Sequence, residues 1–163
     1  MMFAAPLRLL ALVFLLLPAL AQADGRTIIV LDGSGSMWGQ IDGRPKLEIA
    51  RDALETVLAS MPADTELGLI AYGHRTKGEC DDIETLVAPA TGTAQAISDA
   101  AAAMQFLGKT PLTESVRRAA AELHSTEDKA TVVLITDGIE TCQGDPCALA
   151  KELETSGVDF TAH

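Results

Sequence analysis

Apolar residues in this chain come in two rhythms. Short, nearly continuous runs at 27–31 (Thr-Ile-Ile-Val-Leu), 66–72 and 131–136 have the length of strands and lack a polar face, so they are expected as buried strands of a parallel sheet. Between them the apolar positions recur at helical spacing. Pro45 opens a helix over 45–60, with Leu47, Ala50, Ala53, Leu54, Val57 and Leu58 on one face and Ile49 at its flank. An Ala-rich helix is expected over 93–106, another over 112–123, and a third over 146–156, stopped by Gly157. The run at 83–87 reads as an edge strand returning from a hairpin-like loop, and Val158 begins a last strand. Strands alternating with helices predict an α/β fold: a doubly wound, mostly parallel sheet with helices on both faces.

The first strand runs straight into Asp32-Gly33-Ser34-Gly35-Ser36. Three oxygen-bearing side chains at alternate positions make a cradle for a hard cation. Asp32 supplies charge, Ser34 and Ser36 supply hydroxyls, and Gly33 and Gly35 are expected to let the backbone bend tightly. The set contains no thiolate or imidazole, which favours Mg²⁺ over Zn²⁺. In doubly wound sheets ligands collect beyond the carboxyl ends of the strands. Asp137 follows another strand and Thr110 precedes a helix, so the topology carries both toward the same edge as Asp32.

The stretch IIVLDGSGSMWGQIDGRPKLEIARDAL resembles the opening of a von Willebrand factor type A (vWA) domain, a Rossmann-like fold. In that family the D-x-S-x-S motif belongs to a metal-ion-dependent adhesion site (MIDAS), completed by a Thr and an Asp from two further loops. Gly108-Lys109-Thr110-Pro111-Leu112 resembles the Thr loop and Leu134-Ile135-Thr136-Asp137-Gly138 the Asp loop. The resemblance implies a metal set of Asp32, Ser34, Ser36, Thr110 and Asp137 around Mg²⁺, with Mn²⁺ or Ca²⁺ as substitutes. Ser34 and Ser36 would bind directly, Thr110 directly or through water, and the two Asp residues often through water. Thr113 competes for the Thr role; Thr110 holds the family's place in Gly-x-Thr-Pro-Leu.

The implied function is noncatalytic. A cation with mostly neutral ligands stays electrophilic and accepts an Asp or Glu carboxylate from a partner protein. The alternative is a metal-dependent hydrolase acting on phosphate or ester substrates. A phosphotransferase with an aspartate nucleophile would want a second Asp at position 34, where Ser34 stands. The pairing of SMWG with YGHR and ETC-x₄-C is most similar to secreted or periplasmic bacterial vWA proteins. The family usually carries a further helix, strand and helix after the strand that begins at Val158, so 24–163 is expected to be a vWA domain truncated at its C-terminus.

Arg8 followed by an apolar stretch and Ala21-Gln22-Ala23 reads as a secretory signal peptide over 1–23, which places the mature protein in the periplasm or outside the cell. The competing reading is an uncleaved anchor, but the apolar core is shorter than the roughly 20 residues of a spanning helix. Removing 1–23 takes away one charged residue, Arg8, and moves the net charge from −11 to −12. That charge excludes nucleic acid and anionic membrane surfaces as partners.

Other chemistry-bearing residues have plainer readings. His74 and Arg75, past a strand end, are expected to make local hydrogen bonds, with a base role for His74 as the competing reading. Glu79, Asp81, Asp82 and Glu84 read as a solvated loop, and Trp38 as packing under the metal loop rather than presenting its ring. Cys80, Cys142 and Cys147 would meet an oxidising compartment after export. Cys142–Cys147 would close a small loop, Cys80–Cys142 is the alternative, and a zinc site with His74 lacks paired C-x₂-C spacing.

Overall fold

A computed structural model describes residues 25–123, 130–155 and 160–162. The signal-peptide reading of 1–23, Ser156, and the strand start at Val158 lie outside them. The elements are β1 (Arg26–Asp32), a 3₁₀ turn (Gly35–Trp38), β2 (Gln40–Ile41), β3 (Arg44–Pro45), α1 (Lys46–Ser60), β4 (Glu66–Tyr72), β5 (Ile83–Ala90), α2 (Ala94–Ala103), α3 (Leu112–Leu123), β6 (Ala130–Ile135), α4 (Pro146–Thr155) and β7 (Phe160–Ala162).

Five strands form one sheet in the order β5-β4-β1-β6-β7, and β2 pairs with β3 in a separate small hairpin. β1 is central and runs parallel to both neighbours, Ile29 opposite Leu69 of β4 and Val133 of β6. β5 is antiparallel to β4 at the edge, and β7 is parallel to β6. The doubly wound, mostly parallel fold is therefore as expected.

Burial explains why β1 is apolar from Ile28 to Leu31. Ile29 and Leu31 point into a core filled by Leu47, Leu54 and Leu58 of α1 and Ile97 and Ala101 of α2. Ile28 and Val30 point the other way, into a core with Ile70, Tyr72, Ala119 and Leu123. A strand covered on both faces is apolar along its middle, and its polar residues, Arg26, Thr27 and Asp32, stand at its ends.

α2 is shorter than its sequence pattern. Met104 is already extended (φ −61°, ψ 142°), and the expected last turn unwinds into a loop. That loop's backbone is used elsewhere: Leu107 N–H donates to the carbonyls of Gly33 and Gly73, and Gly108 N–H to Gly73. These bonds draw the segment against the end of β1. Ser34 and Gly108 form an isolated parallel bridge there.

The chain leaves β1 for β4 in one direction and later returns to β6 on its other side. Loops after β1 and β6 thus diverge and open a crevice at the sheet's carboxyl edge.

Candidate metal site

Asp32 is the last residue of β1 and fully buried. Its Oδ1 accepts from Ser34 N–H at 2.7 Å, which folds the chain back over the strand end. Its Oδ2 accepts from Thr136 Oγ1 at 2.7 Å. Thr136 Oγ1 in turn accepts from the Tyr72 hydroxyl and from Gly138 N–H, both at 3.0 Å. Burial, and then the charge of Asp32, push the Tyr72 hydroxyl pKa far up, so it remains a proton donor.

Gly33 fits because nothing larger would. A Cβ there would lie 2.5 Å from the Tyr72 carbonyl, whereas one at Gly35 would meet only ordinary contacts at 3.7 Å and beyond. Gly33 thus answers to close approach of β4, and Gly35 shows no such crowding. Gly73, at φ +65°, lets the chain turn against Lys109 and the Ser34 backbone.

Four of the five residues expected from sequence, Ser34, Ser36, Thr110 and Asp137, line one cleft, and Asp32 is buried behind it. Ser34 Oγ lies 2.8 Å from Ser36 Oγ, and Ser36 Oγ donates to Asp137 Oδ1 at 2.8 Å. Thr110 Oγ1 and Asp32 Oδ2 lie on the same side of Gly138, 3.2 and 3.4 Å from where its Cβ would stand. The Thr and Asp loops brace each other through Thr110 N–H to Thr141 Oγ1 (2.8 Å) and Thr141 N–H to Thr110 O (3.1 Å). Thr113 stands apart: its N–H donates to Glu140 Oε2 at 2.8 Å.

The cleft, about 460 Å³, is lined by Ser34, Ser36, Thr110, Thr141 and Asp137 together with Lys46, Lys109 and Ile139. Among the described residues no group of three or more His, Cys, Asp or Glu could hold a metal. What the cleft offers is hydroxyls backed by carboxylates, a donor set suited to a hard cation. A cation already touches it. Lys46 Nζ, from the first residue of α1, lies 2.5 Å from Asp137 Oδ2. Lys46 is aimed there by the β2–β3 hairpin, its N–H donating to the Gly39 carbonyl at 2.8 Å.

Lys46, Thr136 and Thr141 escaped the sequence reading. The first residue of a helix after Pro and a Thr beside the loop Asp were the available signals.

One loop expectation is corrected, while Arg75 and His74 make the local contacts expected of them. Asp82 is buried rather than solvated. Its Oδ1 accepts from Arg75 Nε at 2.7 Å, and its Oδ2 from the N–H groups of Arg75 and Thr76 at 2.8 Å. Burial works to raise its pKa, but these bonds outweigh it and hold the carboxyl below the usual range. His74 Nε2 lies 3.2 Å from Glu84, and burial pushes the imidazole pKa down against the pull of Asp82 and Glu84. Trp38 also departs from expectation. Its ring is exposed, although Nε1–H donates to Phe106 O at 2.8 Å.

The disulfide joins Cys80 to Cys142, with Cα atoms 5.6 Å apart, and Cys147 is an exposed free thiol. The Cys142–Cys147 pairing is thereby replaced by its alternative. Cys147 is drawn into the first turn of α4, while Gln143, at φ +65°, turns the chain between the two. Glu140 holds that turn by accepting from Cys142 N–H at 2.7 Å as well as from Thr113. Burial raises the Glu140 pKa, but the backbone bonds prevail and lower it.

A family profile described as von Willebrand factor type A domain matches residues 27–140. The uncharacterized protein YwmD of Bacillus subtilis (strain 168) is 31% identical over 147 residues, which cover 85% of this chain and 66% of YwmD. The chain thus spans about two thirds of that relative's length. Among solved structures, the pilus adhesin SpaC of Lactobacillus rhamnosus GG matches with TM-score 0.62 at 22% identity, over 74% of this chain and 16% of SpaC. A von Willebrand factor type A protein from Catenulispora acidiphila matches with TM-score 0.63 at 21% identity, over 86% of this chain and 32% of that one.

Proposed function

The chain belongs to the von Willebrand factor type A domain family, and from that premise we propose that it is an exported, noncatalytic protein-binding module. Its cleft holds Mg²⁺, with Mn²⁺ or Ca²⁺ as substitutes, and offers the ion to a carboxylate on a partner protein. The observation that carries this reading is the convergence of the Ser34, Ser36 and Thr110 hydroxyls with Asp137 in one open cleft. Asp32 holds the serine loop from behind, because both its oxygens are engaged by the chain's own donors. Neutral direct ligands leave the ion electron-poor, and an open cleft leaves room for a ligand from outside. The pilus adhesin among the structural neighbours carries the same fold in a part of its chain.

The hydrolase alternative gains no support from the cleft. Among the described residues neither histidine nor cysteine lines it, and His74 is held beside Glu84 instead. Export is supported by the Cys80–Cys142 disulfide and by the basic–apolar–AQA order of 1–23.

Thermal melting in millimolar Mg²⁺ against EDTA tests the ion. A ligand that binds only the folded state adds about 2.7 kcal/mol at a hundred times its dissociation constant. At roughly 3–5 °C per kcal/mol for a domain near this size, the upper expectation is a rise on the order of 10 °C. Ser36→Ala should remove most of it. Identical melting in Mg²⁺ and EDTA overturns the reading.

A further inference from the structure

Among the described residues the exposed large hydrophobics are Trp38 (62%), Ile41 (51%), Leu107 (38%) and Ile139 (85%). They are not scattered. Trp38 ends the 3₁₀ turn that contains Ser36, and Ile41 lies in the hairpin that aims Lys46. Leu107 directly precedes the Gly108–Thr110 loop, and Ile139 lies two residues past Asp137 and lines the cleft. Beyond Lys46 and Asp137 a second groove of about 390 Å³ opens, lined by Ile41, Met37, Ile49 and Ile135. The segments that carry the ion-binding side chains therefore also carry the exposed apolar ones.

We propose that these four side chains form a recognition rim for a protein segment in which one acidic residue is flanked by bulky apolar residues. The acid would occupy the cleft and its neighbours would pack on the rim, which rests on the cation reading above.

Trp38 makes the case beyond mere exposure. Its Nε1–H is tethered to Phe106 O, and its ring stands edge-on to the Phe106 ring, at 6.4 Å and 76°. Phe106 is buried and lies under the Arg51 guanidinium, 5.4 Å from its centroid. The indole is thus fixed at its polar end and presents its apolar body outward. A ring already held in place loses little freedom on docking, the property that suits aromatic anchors to interfaces.

Charge selects the kind of ligand. Lys46 and Lys109 line the cleft of a chain with net charge −11. The centre attracts a carboxylate while the surrounding surface repels a run of them, so a single acid between apolar neighbours fits and an acidic tract does not. The same repulsion disfavours an anionic membrane, the other surface that a rim of Trp, Ile and Leu could enter.

Trp38 is the chain's only tryptophan, so its fluorescence reports directly on the rim. The purified chain is titrated, in Mg²⁺ and in EDTA, with three short peptides. They carry an Asp flanked by Leu and Phe, the same Asp flanked by Ser, and the apolar peptide with Asn in place of Asp. Phosphatidylglycerol vesicles form a fourth arm. The expected result in Mg²⁺ is a blue-shifted emission and binding about tenfold tighter for the apolar-flanked Asp peptide than for the Ser-flanked one. Ile41→Ser with Leu107→Ser should cut that advantage below about threefold and leave the Mg²⁺ melting shift intact. Equal affinity for the two Asp peptides overturns the rim while the cation reading stands. Equal binding of the Asn peptide, or of the Asp peptide in EDTA, overturns both. A Trp38 response to vesicles and to none of the peptides overturns the protein-segment assignment in favour of a lipid surface.

Discussion

Asp32 and Asp137 carry the same side chain, one behind the cleft and one lining it, and their surroundings differ. Asp32 is fully buried, and both its oxygens accept hydrogen bonds from the chain's own donors, Ser34 N–H and the Thr136 hydroxyl that Tyr72 and Gly138 support. Asp137 keeps 13% of its side chain exposed, and its partners are Ser36 and the partly exposed Lys46. The inner carboxylate belongs to the scaffold. The outer one has partners that an incoming cation can replace. On the proposed cation reading, a divalent ion entering here would take Ser36 Oγ as a ligand and compete with the ammonium of Lys46 for Asp137, exchanging one cation for another at the outer end.

The largest effect expected from that difference is on stability. Asp32→Ala leaves two buried donors without acceptors, and at about 1–3 kcal/mol each the loss should approach 4 kcal/mol. Denaturant melts measure it. Asp137→Ala, by contrast, should cost under about 1 kcal/mol while removing the Mg²⁺ response. Equal losses in the two variants would erase the distinction between inner and outer ends.

Next comes the disulfide, which spans 62 residues and ties the Asp137 loop to the 74–82 loop. Cys142→Ser should cost about 3 kcal/mol and weaken Mg²⁺ binding at the outer end, as read by calorimetry.

Asp82 separates burial from position, since it is nearly as buried as Asp32 but lies away from the cleft. Asp82→Ala should cost about 2 kcal/mol and leave Mg²⁺ affinity unchanged. Acid titration sharpens this. Asp82 and Glu140 have folded pKa values below their unfolded ones, so their contribution is complete above the unfolded values near 4 and lost as pH falls through the lower folded ones. The wild-type chain should therefore lose stability below about pH 4, and Asp82→Ala should lose less over the same range.

The smallest expected effect on stability is at Lys46. Lys46→Met removes a partly exposed ion pair worth less than about 1 kcal/mol. With the competing ammonium gone, Mg²⁺ should bind about fivefold tighter. Weaker binding in that variant would mean that Lys46 supports the ion rather than stands in for it.

Sequence reading succeeded where one local rule decided the outcome. The bounds of β4 and α3 follow from an apolar run ended by Gly73 and from an amphipathic stripe, and both agree to the residue. The convergence of Ser34, Ser36, Thr110 and Asp137 was legible because strand ends in this topology meet at one edge. It failed where distant partners decided. The 104–106 segment has the residues of a helix, but Gly33 and Gly73 claim the backbone of the loop that follows it. Asp82 looks like one acid among four, and only Arg75 and Thr76 folding over it make it structural. The β2–β3 hairpin had its signal, Asp42-Gly43, both at positive φ, but its strands of two residues are too short to show a period.

The bond between Thr136 and Asp32 joins residues 104 apart in sequence, across the central pairing of β1 with β6. Such a contact closes only after a long stretch of chain has been organised between its ends, which belongs late on the route to the native state. A cation that needs both ends of the cleft therefore meets no site in the half-formed protein. It would act as a latch rather than a template, prolonging the lifetime of the finished molecule without hastening its assembly.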